Sequence, residues 1–216
     1  GSIVEFSTIP ADPTYPEAAW GRRIYTIAAV YAGEADEGEA LLQPLRELGE
    51  PVIDFSGQMD YADVQQLFDT LMPAGQFRSY WKSRYLSGLS DEAIDAMLEG
   101  NASPPSRNTL SSIWNFGGAT ARVGATETAF GDRSMPYMVS FDSVWTDADD
   151  DAANIVWTRD LWDRLGAYGQ QDRIYLNFAG HGEDSDALVR GTFGNNFAQL
   201  ASIKATYDPG NVFRFN

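Results

Sequence analysis

The chain has 216 residues, 44% of them hydrophobic, enough for a sizeable core, and holds no run of roughly 18 apolar residues that would span a bilayer. Its 31 acidic against 15 basic residues give a net charge of −16, a field that repels nucleic-acid phosphates and anionic membranes and so excludes both as partners. With lysine only at Lys82 and Lys204, this balance is what a protein bathed in molar salt carries, and the expected source is the cytoplasm of a halophilic prokaryote.

Gly1-Ser2 opens the sequence without an initiator Met, a basic region or an apolar signal core, so the start reads as a cloning scar or a cut inside a longer chain. Turn signals such as Ala11-Asp12-Pro13 and Ser103-Pro104-Pro105 are local, and no low-complexity linker divides the chain, so residues 1–216 are expected to form one domain. Ile24 to Tyr31, rich in Ile, Val, Ala and Tyr, predicts a buried strand. After Gly33 a helix follows with Leu41, Leu45 and Leu48 on one face, then Val52 to Phe55 as a second strand. From about Tyr61 another helix is expected, since Val64, Leu67, Phe68 and Leu71 fall at the spacing of an apolar stripe.

Ser90 with Asp91 and Glu92 gives an N-cap and acidic first turn for a short helix ending near Gly100. Thr109 to Phe116 and Ala121 to Val123 read as strands, as does Tyr137 to Trp145. Asp149 to Leu165 reads as an amphipathic helix carrying Trp157, Leu161, Trp162 and Leu165, and Arg173 to Phe178 as a further strand. The fold class is therefore α+β: a mostly antiparallel sheet covered on one face by helices, with ferredoxin-like elements in its strand-helix-strand units.

The absence of cysteine excludes disulfides, thiolate metal sites and cysteine nucleophiles, and the single histidine, His181, excludes a histidine-built metal centre or a Ser/His triad within the chain. Gly117-Gly118 lacks the following Gly, Lys and Ser/Thr of a phosphate-binding loop. Asp147 to Asp151 reads as a solvated run at a helix start rather than a metal site. In Tyr175-Leu176-Asn177-Phe178, strand alternation would put Tyr175 and Asn177 on one face. A phenol beside a carboxamide can contact a ligand, and a phenol whose surroundings lower its pKa can act as a general base; both can equally hydrogen-bond within the fold.

Taken with Phe193-Gly194-Asn195-Asn196-Phe197-Ala198-Gln199-Leu200, Lys204 and Tyr207-Asp208-Pro209-Gly210-Asn211-Val212-Phe213-Arg214, this tetrapeptide resembles the end of the berberine-bridge-enzyme-like flavoproteins, with the pattern Y-x-N-[YF], G-x-N-[YF]-x-x-L, K and D-P-x-N-x-F-R. Upstream, Asn115-Phe116-Gly117-Gly118, then Thr128-Ala129-Phe130-Gly131-Asp132-Arg133, and Tyr80-Trp81-Lys82-Ser83 are similar to further elements of that family, so the resemblance runs along nearly the whole chain. Asp132 replaces the usual histidine before Arg133.

The resemblance implies an FAD-dependent oxidoreductase of the vanillyl-alcohol-oxidase superfamily, of which this chain is the substrate-binding cap domain, including a C-terminal segment 173–216; the FAD-binding domain would lie outside it. FAD is then the cofactor, held mainly by that other domain, and the isolated chain is expected to be inactive. Tyr175 matches the tyrosine at or beside the catalytic base, Asn177 the asparagine next to the flavin, and Asn211 a further cofactor contact. Ser140 falls where some members place a carboxylate or amide; with Asn115 and His181 it is a substrate-facing candidate. The expected partners are the FAD-binding domain of the same protein and a small hydroxyl- or amine-bearing substrate, with a homodimer as a further expectation. Trp157 and Trp162 read as packing residues, while Lys82 and Arg133 read either as phosphate or carboxylate contacts or as structural ion pairs. A free-standing α+β ligand-binding or dimerisation module is the alternative from another class.

Overall fold

The computed structural model describes residues 1–214 apart from 68, 70, 71, 132, 171, 172 and 181–185. Among the described residues five strands carry the fold: β1 (Ser2–Thr8), β2 (Arg23–Ala29), β3 (Arg78–Leu86), β4 (Leu110–Asn115) and β5 (Tyr137–Trp145). They form one sheet in the order β2-β1-β4-β5-β3, with every pairing antiparallel. Among the described residues six α-helices accompany them: α1 (Ala35–Arg46), α2 (Tyr61–Gln66), α3 (Asp91–Gly100), α4 (Asp151–Arg164), α5 (Asp186–Phe193) and α6 (Asn196–Tyr207). The α+β expectation with helices on one face holds.

Alternation along β5 divides its side chains between the two faces. Val139 and Phe141 point to the helix side and meet Leu86, Met97, Leu161 and Leu165 in the main apolar cluster. Burying side chains of this size stabilises by about 1.5–3 kcal/mol each, so this cluster fixes α3 and α4 on the sheet. The Ser90 hydroxyl accepts from Ala93 N at 3.3 Å and caps α3. At its other end a Cβ on Gly100 would stand 2.3 Å from Leu161 Cδ1, so the absent side chain lets α3 and α4 approach. Trp157 Nε1 donates to Gly100 O and Trp162 Nε1 to Ser83 O, confirming both tryptophans as packing residues with satisfied polar ends.

β3 places two cations on this same face. Lys82 Nζ and Arg84 Cζ stand 4.1 and 3.7 Å from the Trp162 ring centroid, and Arg84 donates to Trp162 O and Gln170 O. A guanidinium sheds water more readily than an ammonium and stacks on aromatic rings, which is how Arg84 is buried here. This cationic content is why β3 shows no simple apolar alternation, and β1 likewise mixes polar and apolar residues; neither strand is evident from the sequence pattern.

Three expected strands are absent. Val52–Phe55 pairs with no strand among the described residues, and Phe55 instead meets Tyr15 edge-on at 5.9 Å. Thr120–Arg122 is a 3-10 turn, too short a run between glycines to enter a ladder. The segment 173–178 approaches the outer edge of β3 but bonds to a serine side chain there, and Leu176–Phe178 closes into a 3-10 turn. Helix α1 ends at Arg46, before Leu48, and Leu41 is 63% exposed, so the expected apolar face is largely solvent-facing. The stripe from Tyr61 yields the short α2; Phe68 and Leu71 lie outside the described residues.

Candidate functional site

The face away from α3 and α4 is built from the other half of each strand. Register places Thr26, Glu5, Ser112, Ser140 and Ser83 in a row that crosses all five strands. Trp114 lies opposite Met138 on one side of that row, and Trp81 opposite Asp142 on the other. Ser83, Ser112 and Ser140 of this row are buried, and the two indoles flank them on either side.

Within this surface the indole Nε1 of Trp114 donates to Ser140 Oγ at 3.1 Å, and Ser140 Oγ donates to Asp142 Oδ2 at 2.8 Å. Asp142 is 7% exposed. Burial pushes its carboxyl from 3.8 up to about 7, partly offset by the Ser140 hydrogen bond, with the Glu5 charge adding to the rise. Burial also raises Glu5 above its ordinary value. Two buried polar atoms of the surface have no partner among the described residues: Trp81 Nε1, a donor, and Asp142 Oδ1, an acceptor. An unsatisfied buried group costs about 1–3 kcal/mol, so such a pair is a feature to be explained.

Over the β3 edge of this face lies the turn that begins at Tyr175. Ser83 Oγ accepts from Tyr175 N at 3.0 Å, which anchors the turn to the end of the polar row. The 3-10 geometry replaces strand alternation, and it brings Asn177 back to Tyr175: Asn177 Nδ2 donates to Tyr175 Oη at 2.8 Å. Phe178 packs edge-on against both Tyr175 and Trp81, at 5.2 and 5.3 Å between centroids, and tilts against Trp114 at 6.4 Å. Phe130 continues the aromatic wall 6.3 Å from Tyr175. An open recess of about 290 Å³ beside it is lined by Ser79, Trp81, Leu176 and Asn177.

The structure therefore brings Tyr175, Asn177 and Ser140 to one face. Asn115 is on β4 at the opposite parity from Ser112, and its Oδ1 accepts from Gly117 N at 3.0 Å, shaping the turn that follows the strand. Asn211 is exposed in the C-terminal tail with φ of 48°, a left-handed conformation that asparagine tolerates. Around it Asp208 accepts from Val212 N and Phe213 N; Lys204 first, then these bonds, hold its carboxyl below the usual range. His181 and Asp132 lie outside the described residues. Lys82 faces the helices, and Arg133 donates to Thr128 Oγ1 and sits 4.7 Å from the Phe130 ring centroid. Asn196 holds the loop beneath: its Nδ2 reaches Ala125 O, Thr128 O and Phe130 O. Asp142, Trp81, Trp114 and Glu5 escaped the sequence reading, although alternation in Tyr137 to Trp145 already puts Asp142 on the face of Ser140.

A family profile described as "Berberine and berberine like" matches residues 174–216, the stretch that holds the Tyr175 turn, α5 and α6. Residues 174–216 are thus similar to the berberine and berberine like family. The chain is 28% identical over 207 residues to the uncharacterized FAD-linked oxidoreductase YgaK of Bacillus subtilis (strain 168), covering 91% of this chain and 43% of that protein. It is 32% identical over 153 residues to the monolignol oxidoreductase AtBBE-like 13 of Arabidopsis thaliana, covering 64% of this chain and 28% of the relative. Among solved structures, BBE-like #28 from Arabidopsis thaliana shares the fold with a TM-score of 0.68 at 16% identity, over 97% of this chain and 48% of that one. Phl p 4, a grass pollen allergen with glucose dehydrogenase activity, shares it with a TM-score of 0.69 at 16% identity, over 99% and 53%. The chain thus spans less than half the length of the curated relatives it matches.

Proposed function

We propose that this chain is the substrate-binding cap domain, residues 1–216, of an FAD-dependent oxidoreductase that oxidises a hydroxyl- or amine-bearing small molecule. The observation that carries the reading is the Tyr175 turn, seated on the polar row of the sheet with Asn177 on its phenol oxygen, in a segment similar to the berberine and berberine like family.

A flavin has a planar ring with polar edges at one end and a diphosphate at the other. The Trp81 ring and the Asn177 carboxamide, which line the open recess, suit the ring end. The diphosphate end finds no counterpart in Gly117-Gly118, whose turn is closed by Asn115. The fit is that of a roof over the ring, with the flavin held mainly by another part of a longer protein. When bound, the flavin supplies the hydride acceptor.

The chain's own residues then do the rest. Tyr175 takes the substrate proton at Oη, and the hydrogen bond from Asn177 Nδ2 supports negative charge on that oxygen. Ser140, fully buried between Trp114 and Asp142, holds both side chains in place beneath the face. Phe130, Phe178, Trp81 and Trp114 pack against its ring and keep water away. The acidic, lysine-poor composition supports a salt-adapted cytoplasmic source. The exposed apolar residues Leu41, Leu48 and Phe55 supply a surface for the rest of the protein or a second copy.

The test is Tyr175→Phe in the protein expressed from its full-length gene. Flavin content should be unchanged, and the rate of flavin reduction by substrate should fall by about 10²-fold or more; an unchanged rate would remove Tyr175 from the chemistry.

A further inference from the structure

The sheet order β2-β1-β4-β5-β3 contains one strand-and-helix unit in full and part of a second. In the full unit β3, α3, β4, β5 and α4 follow one another along the chain, β5 lies between β4 and β3, and α4 packs across β5 and β3. The chain up to α1 repeats the last part of that unit. β1 and β2 form an antiparallel pair as β4 and β5 do, and α1 begins as far after β2 (Ala29 to Ala35) as α4 does after β5 (Trp145 to Asp151). β1 and β4 meet antiparallel at the centre, so a half-turn about their junction carries β4 onto β1 and β5 onto β2. β5 is an interior strand, yet its counterpart β2 lies at the edge, with no strand on its far side among the described residues.

β2 nevertheless has the make-up of an interior strand. Arg23-Ile24-Tyr25-Thr26-Ile27-Ala28-Ala29 carries a charge only at its first position and pairs with β1 residue for residue, without a proline or a bulge. Natural sheets blunt their exposed edges with charges, prolines, bulges or a cover. β3, the other outer strand, carries Arg78, Lys82 and Arg84, and Gly169 and the Tyr175 turn meet its outer side. Gly1 and Val30 exchange both backbone hydrogen bonds and Ile9 N donates to Arg22 O, so the even-numbered residues of β2 bond to β1. The N–H and C=O groups of Arg23, Tyr25, Ile27 and Ala29 therefore point away from the sheet, spaced to accept another strand. The helix layer is open at the same place. Tyr25 lies opposite Phe6, which packs on the main core, yet Tyr25 is 61% exposed, and Leu41 and Leu48 after it are exposed as well.

We propose that the edge of β2 and the apolar face of α1 seat a strand and a helix that precede β1 in the full-length protein, the counterparts of β3 and α3. The strand pairs antiparallel with β2 through the four outward residues, as β3 pairs with β5. The helix covers Tyr25 and Leu41 as α3 packs beside α4 on the main core. Because β3 and α3 come before β4, their counterparts come before β1, and a chain that covers 43% of YgaK leaves length for them. The proposal rests on the reading of this chain as part of a longer oxidoreductase and extends the cap by two elements. The repeat favours this occupant over a second copy, since β5 receives its neighbour from its own chain.

The test places the photo-cross-linker p-benzoyl-phenylalanine at Tyr25 in the protein expressed from its full-length gene and maps the adducts by mass spectrometry. Adducts within one molecule to residues preceding Gly1 are expected. Amide exchange in the unsubstituted full-length protein gives a second readout: Ile27 and Ala29 should exchange within about tenfold of their β1-bonded neighbours Thr26 and Ala28, whereas an open edge leaves them about 10²-fold faster or more. Adducts between two molecules would assign the edge to a second copy, and adducts confined to residues 1–216, or fast exchange at Ile27 and Ala29, would leave it uncovered; each overturns the proposal. The flavin reading fails separately: a colourless protein with the expected adducts sinks that reading alone, and a flavin-bearing protein with adducts between molecules sinks only this one.

Discussion

Asp142 couples the candidate site to the stability of the fold. Because burial raises its carboxyl to about 7 from an ordinary 3.8, the folded chain binds this proton more tightly than the unfolded chain does. Its contribution is complete below about pH 4, declines as pH rises to about 7, and is flat above that. Integrated over the window, the loss is on the order of 4 kcal/mol. Denaturant unfolding at pH 4.5 and 7.5 should show it, and Asp142→Asn should flatten that difference; an equal slope in the variant would mean the group is already ionised when folded. The carboxylates of Asp54, Asp151 and Asp208 have lowered values and act with the opposite sign below about pH 4, outside this window. Of these residue-scale features, Tyr175 and Asn177 were legible as motif positions. Asp142 was not singled out, because a single Asp in an acidic chain carries no sign of burial until the strand that holds it has a partner on each side.

At the scale of elements, Phe141 anchors the sheet to α4, and Phe141→Ala should cost about 3–5 kcal/mol in denaturant unfolding. Asn196, at the start of α6, gathers three carbonyls of the loop 125–130 through one amide nitrogen. Asn196→Ala leaves those carbonyls without this donor, at a cost of roughly 1–3 kcal/mol, and amide exchange should quicken in 125–130 while the sheet keeps its protection. Exchange that quickens everywhere would mean that Asn196 supports the whole fold. Elements with a strong local pattern were readable: β5 has the bounds that its apolar alternation indicates, and α3 starts at its Ser90 cap. Those decided by distant partners were not. β3 hides its pattern because Lys82 and Arg84 are buried against Trp162, and 173–178 has the composition of a strand but finds Ser83 Oγ where a backbone ladder would be needed.

The whole molecule carries a net charge of −16, and its main core is closed on the helix side while the opposite face gathers the polar row, the aromatic wall and the Tyr175 turn. Self-repulsion of that charge is screened by salt, so the thermal midpoint should rise between 0.2 M and 2 M KCl; a midpoint independent of salt would contradict adaptation to a saline cytoplasm. That charge was plain in the composition, and the sheet-plus-helix class followed from its strongest elements. A cap over a flavin requires a flavin in the full-length protein. The most direct measurement is the visible absorbance spectrum of the protein expressed from its full-length gene, purified in high salt. Flavin bands that stay with the protein through gel filtration are the expected result, and a colourless, folded protein would contradict the assignment of this chain as the roof of a flavin site.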